Sequence, residues 1–205
     1  MSLMGNNLLN DIVKVKGKYT PSEILFELNI QIINTLKQNS KNTSVKFGMD
    51  IALVSLEFEK PKSEKGKSTA KSEKKLPASA PQHFTKLQYA GAHSPLLIYR
   101  GDECIEIKAD KNSIGFIKKI EEQGFTNHSF ELKKGDMLYL FSDGYADQIG
   151  GQENKKIFAQ PFRDILQSVC QLEMQGQNKT LDEILIDWTG NHNQTDDILV
   201  IGIRV

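Results

Sequence analysis

Residues 137–141 read Met-Leu-Tyr-Leu-Phe, a nearly continuous apolar run that stops at Ser142-Asp143-Gly144. A run this short and this unbroken predicts a strand buried on both faces. Such a strand needs a covered sheet, so the chain must build layers around it. The 205 residues suit one domain, spanning 1–205, with enough chain to bury a real core. An apolar fraction of 39% and a charged fraction of 25% are ordinary for a globular protein.

The neighbouring segments supply the layers. Gly5 to Lys16 places Leu8, Leu9, Ile12 and Val13 at helical spacing. Thr20-Pro21-Ser22-Glu23 reads as a capping box with proline at the first helical position. The helix it opens carries Ile24, Leu25, Leu28, Ile32 and Leu36, with Phe26, Ile30 and Ile33 widening the stripe. Phe47 to Phe58 is rich in strand formers. Further strands are expected at Phe84–Ala90, Leu96–Tyr99 and Cys104–Ala109, whose short connections predict an antiparallel meander. Ser129–Leu132 and Met137–Phe141 read as a hairpin about Lys133-Lys134-Gly135-Asp136. Helices follow at Phe158–Leu172 and from a second capping box, Thr180-Leu181-Asp182-Glu183, with Trp188 on the core side. Ile198–Val205 closes the chain as a strand. Runs of antiparallel strands separated from runs of helices argue for α+β, sheets with helices packed outside.

Lys60 to Ala80 breaks this pattern. It consists of Lys, Ser, Glu, Ala, Gly, Thr and Pro, with Leu76 its one large apolar residue. Burial cannot offset the ordering entropy of such a stretch, so it reads as a flexible insertion. Its lysines lack interleaved aromatics for stacking on bases. Lys plus Arg and Asp plus Glu are equal at 26 each, which gives no electrostatic reason to expect nucleic acid or an anionic membrane as partner. No apolar stretch approaches the ~20 residues of a membrane span. Cys104 and Cys170 lie far apart without metal-type spacing, as expected of reduced thiols in a cytoplasmic protein.

Two acidic positions carry chemistry. Asp143 stands at the end of the buried strand, where its carboxylate has a fixed location, and Gly144 permits a close approach of backbone or ligand. A plain Asp-Gly turn is the alternative. Thr195-Asp196-Asp197 precedes the last strand. Alternation along an extended chain points only one of the two carboxylates toward a given site, so Asp196 could serve as the ligand while Asp197 hydrogen-bonds the loop. Carboxylates without His or Cys favour Mg²⁺ or Mn²⁺. His83, His93, His128 and His192 share no ligand spacing and read as loop or surface histidines.

The segments Leu138-Tyr139-Leu140-Phe141-Ser142-Asp143-Gly144-Tyr145-Ala146-Asp147 and Thr195-Asp196-Asp197-Ile198-Leu199-Val200 resemble the second half of the metal-dependent PPM protein phosphatases, nearest the bacterial SpoIIE-like serine/threonine branch. Gly48-Met49-Asp50-Ile51-Ala52-Leu53 and Leu87-Gln88-Tyr89-Ala90-Gly91-Ala92-His93-Ser94-Pro95-Leu96 resemble family strands as well. The resemblance implies a β-sandwich of two antiparallel sheets flanked by helices. It also implies two Mg²⁺ or Mn²⁺ ions and a metal-bound water that attacks phosphoserine or phosphothreonine. Asp143 and Asp196 match the family's metal aspartates, with Ser142, Gly144 and Asp197 beside them; no other catalytic residue is assigned.

The family's Asp-Gly-x-Gly-His-Gly-like loop is missing, since Asp-Gly occurs once, at Asp143-Gly144. Met1 to Asn10 resembles the helix after that loop, so the sequence reads as an N-terminally truncated domain, inactive in this form. A phosphoprotein is the expected substrate, and a sensor domain is expected upstream in the parent protein. The rival reading is a phosphatase-like binding module without catalysis. Absent first strands would leave a sheet edge open to self-association.

Overall fold

The computed structural model describes residues 2–36, 48–58, 84–115 and 124–205. The stretch Lys60 to Ala80, His83 and the start of the 47–58 run lie outside the described residues. Helix α1 (Ser2–Asn10) continues into a wider turn at Asp11–Val15, and after a non-helical break at 16–20 the chain enters α2 (Pro21–Leu36). The strands are β1 (Ile51–Phe58), β2 (Phe84–Ala92), β3 (Leu96–Arg100), β4 (Glu103–Ile107), β5 (His128–Glu131) and β6 (Met137–Phe141). After them come α3 (Gly144–Asp147), the short pair β7 (Ile149–Gly150) and β8 (Lys155–Lys156), α4 (Ala159–Val169), α5 (Met174–Thr189) and β9 (Val200–Arg204).

Two antiparallel sheets form a sandwich, one ordered β1-β2-β5 and the other β4-β3-β6-β9. Side-chain alternation sorts residues between layers. Leu87, Tyr89, Leu96, Ile98, Leu138 and Leu140 meet between the sheets. Leu97, Tyr99, Met137 and Tyr139 turn outward onto Phe162, Leu166 and Val169 of α4 and Leu181 of α5. Ala90 and Ala92 turn outward onto Ile24, Leu25, Leu28 and Ile32 of α2. The unbroken apolar character of β6 follows, because both its faces are core. The expected sandwich with helices outside is the observed architecture.

Four local expectations are corrected. β2 and β3 do not form a meander: β2 pairs with β1 and β5, whereas β3 pairs with β4 and β6. The connection crosses between sheets through His93, whose φ of 58° turns the chain out of the first sheet. Nor do β5 and β6 form a hairpin. The corner at Lys133–Asp136 is held on the second sheet by Arg100, which bonds Asp136 Oδ1 and Oδ2 at 2.8 and 2.7 Å, and by Val205, which exchanges backbone bonds with Gly135 and Asp136. α5 starts at Met174, ahead of the Thr180 box, because buried Gln177 donates to the Cys170 and Leu172 carbonyls and accepts from Tyr139 Oη at 2.6 Å. Phe26, placed on the buried side of α2, is exposed.

β1 and β9 end their sheets and have open edges among the described residues. Cys104 and Cys170 are free thiols, the former exposed and the latter buried. Among the described residues no helix is long and apolar enough to cross a membrane.

Candidate functional site

β6 and β9 run antiparallel with Phe141 opposite Val200, which brings the end of one strand beside the start of the other. Ser142 locks this junction. Its N–H donates to the Leu199 carbonyl at 3.0 Å, its Oγ accepts the Leu199 N–H at 2.9 Å, and the same hydroxyl donates to the Asp197 carbonyl at 2.7 Å. Gly144 has no room for a side chain, since a Cβ there would lie 2.8 Å from the Asp197 carbonyl carbon. The close approach expected at Gly144 is therefore made by backbone.

The 193–197 loop is stapled to α3 and its flank. Thr195 Oγ1 donates to the Asp147 carbonyl at 3.3 Å, and buried Gln148 receives the Thr195 N–H at 3.2 Å while donating to the Asn193 carbonyl at 3.1 Å. Trp188 supports Gln148 from α5, donating Nε1–H to its carbonyl at 3.1 Å. The expectation that the Asp197 carboxylate ties this loop and faces away from the site is corrected: Asp197 lines the same cleft as Asp196, and the side-chain tie is made by Asp196 Oδ1, which accepts the Asp197 N–H at 2.7 Å. On Asp197 it is the backbone carbonyl, through Ser142, that makes the corresponding tie.

Asp143, Asp196 and Asp197 all line one cleft of about 760 Å³ at the mouth between β1 and β9. Asp50, His93, Ser94 and Pro95 line it too, and among the described residues neither Lys nor Arg does. Sequence reasoning missed Asp50 and His93 as cleft residues. Asp50 carries the same signal as Asp143, a carboxylate at a strand end, since β1 starts at Ile51. His93 sits in the Gly91–Pro95 turn, where nothing but the crossing between sheets brings it to the acids. His128 packs against Tyr89, with ring centroids 6.0 Å apart, and His192 bonds the Thr189 carbonyl.

Carboxylate oxygens are the donors that hard cations take. Among the described residues no three His, Cys, Asp or Glu side chains are grouped to hold a metal ion, so those residues do not by themselves fit a complete two-metal centre.

A sandwich of antiparallel sheets between helices is the fold of the PP2C-type phosphatase domains. The SiaA-PP2C domain of Pseudomonas aeruginosa matches with a TM-score of 0.75 at 21% identity, covering 99% of this chain and 68% of that one. The RsbU and RsbW domains of Rv1364c from Mycobacterium tuberculosis match at 0.59 and 17% identity, over 98% of this chain and 45% of that one. PppA of Pseudomonas aeruginosa matches at 0.50 and 13%, over 88% and 66%. No curated protein matches the chain in sequence. The family model described as stage II sporulation protein E (SpoIIE) matches residues 81–205. The chain belongs to the SpoIIE family of PP2C-type phosphatase domains.

Proposed function

We propose that this chain contributes Asp143 and Asp196 to the divalent-cation site of a phosphatase domain that acts on phosphoserine or phosphothreonine in a protein substrate. The reading is carried by one observation: two carboxylates from adjacent antiparallel strands line a single cleft in a member of a phosphatase family. Mg²⁺ or Mn²⁺ suits an all-carboxylate donor set, and a pair of such ions would supply activated water and offset phosphoryl charge only in an intact domain with further donors. Ser142 and Gly144 fix the spacing of the two strand ends, and Asp196 reaches the cleft with Oδ1 already held by a backbone N–H. That hydrogen bond orients a ligand in the way supporting bonds do at metal sites.

With no third donor grouped beside them among the described residues, the two aspartates are expected to bind Mn²⁺ weakly, and this chain alone is expected not to hydrolyse p-nitrophenyl phosphate. Titration calorimetry with Mn²⁺ tests the assignment. Asp143→Asn and Asp196→Asn should each remove the binding, and unchanged binding in both variants would overturn it. Robust turnover by the unmodified chain, abolished by Asp143→Asn, would refute the incomplete site while keeping the ligands. The same shortage of donors supports a second reading, a phosphatase-like regulatory module, under which Mn²⁺ is not bound at all. A regulatory domain carried by the parent protein is part of the main reading, in keeping with the pairing of RsbU and RsbW domains in one matched structure.

A further inference from the structure

His93 is a non-glycine residue held at φ 58°, in the left-handed region that L side chains rarely adopt. Such a conformation persists only where the surroundings over-determine it. Here they do. The His93 N–H donates to the Asp110 carbonyl at 2.9 Å, and the Asp110 N–H donates to the Gly91 carbonyl at 2.9 Å. Ser94 N–H donates to the Ala92 carbonyl at 2.7 Å, and the hydroxyl of buried Tyr89 donates to the Ser94 carbonyl at 2.6 Å. The backbone of the crossing is thus tied from three sides, while the imidazole stays exposed and lines the acidic cleft.

The charge of the cleft gives that imidazole a task. Among the described residues four carboxylates (Asp50, Asp143, Asp196 and Asp197) line it, with neither Lys nor Arg. Among the same residues His93 is the lining side chain with a ring N–H to offer the oxygens of a phosphoryl group entering the cleft. We propose that His93 is a substrate-binding residue that donates a hydrogen bond to a phosphoryl oxygen, and that the left-handed turn exists to present it.

This rests on the reading of the cleft as a phosphoryl site, and the test separates the two. The probe is inorganic phosphate, added to the chain in millimolar Mg²⁺ and followed by histidine ring ¹⁵N resonances and by calorimetry. Phosphate should shift the His93 ring and leave His128 and His192 in place. His93→Ala should weaken phosphate binding roughly five- to tenfold without changing Mg²⁺ affinity, in line with the loss of one charge-assisted bond. His93→Gln, which keeps an N–H donor, should recover part of the loss. His93→Gly supplies the discriminating readout, because glycine adopts this φ freely. It should leave the thermal midpoint unchanged or higher while phosphate affinity falls. Phosphate that binds without moving the His93 ring, or a His93→Gly variant that loses stability and keeps its affinity, would overturn the proposal and leave the metal-ligand reading intact. Phosphate that fails to bind the parent chain in Mg²⁺ would overturn the proposal, while the carboxylate-ligand reading stands or falls on the Mn²⁺ titration of Asp143→Asn and Asp196→Asn.

Discussion

Replacing Asp136 by alanine is expected to be among the most damaging single changes outside the cleft. The carboxylate is 1% exposed and accepts three bonds: two from Arg100, at 2.8 and 2.7 Å, and one from the Lys133 N–H at 2.8 Å. Burial pushes its pKa up, but the Arg100 hydrogen bonds, the Lys133 N–H and the positive charges of both residues outweigh this, and the net shift is downward. Removing one partner of a buried pair typically costs about 3–5 kcal/mol. Arg100 is partly open to water and recovers some solvation, so a loss of about 2–4 kcal/mol is expected for Asp136→Ala. That is a large share of the ~5–15 kcal/mol by which domains are stable. Urea unfolding at neutral pH measures it, with Arg100→Ala and the double variant completing a cycle in which the double costs less than the sum. The sign of the pH dependence follows from the lowered pKa. The stabilisation is fully present above the unfolded carboxyl value of about 3.9 and is lost as pH falls through the folded value. Wild type and Asp136→Asn should therefore differ at neutral pH and converge in acid. A cost below ~1 kcal/mol for Asp136→Ala, or a gap to Asp136→Asn that persists in acid, would refute the reasoning.

Gly144→Ala places a methyl against the Asp197 backbone, and should cost about 1–3 kcal/mol in thermal or urea unfolding, with any Mn²⁺ binding lost as the strand ends part. Gln177→Leu leaves the Tyr139 hydroxyl without its partner, while the Cys170 and Leu172 carbonyls keep the Arg204 guanidinium, and a loss of about 1–2 kcal/mol is expected in urea unfolding. On the open edge of β9, Ile201 is 43% exposed and Leu199 56%. Any self-association seen by analytical ultracentrifugation should weaken in Ile201→Lys, because a charge on an edge strand opposes further strand pairing.

Faces were legible in the sequence and partners were not. The apolar runs Leu96–Tyr99 and Met137–Phe141 gave the strands, and the second also its double burial, which is a local property. Which sheet each strand joins depends on contacts far along the chain. Asp136 reads locally as the close of a Lys-Lys-Gly-Asp turn, and its partner Arg100 is 36 residues away. The box at Thr180 is a plausible start for a helix, yet Gln177 extends α5 toward Met174 because its partners lie on β6 and at the end of α4. In both places a buried polar side chain outweighs the local pattern, since leaving it unpaired would cost more than the turn or cap contributes.

The cleft follows the same division. Asp143 could be singled out because a buried strand gives its end a definite position, and the glycine after it signalled a close approach that Asp197 makes. Asp50 offered the same geometry, but its strand lies in the other sheet, and only the packing of the two sheets brings it to the same mouth. His93 carried no spacing signal because its position depends on a backbone angle, φ 58°, that histidine does not announce. The acids at this mouth come from strand ends of both sheets, so the spacing of the cleft depends on how the sandwich packs. A core substitution between the sheets, such as Leu138→Ala, should then loosen Mn²⁺ binding by Asp143 and Asp196 as well as cost about 2–5 kcal/mol of stability. Mn²⁺ calorimetry on the folded variant decides this: affinity equal to wild type would mean that the Ser142 lock alone sets the site, independent of the packing beneath it.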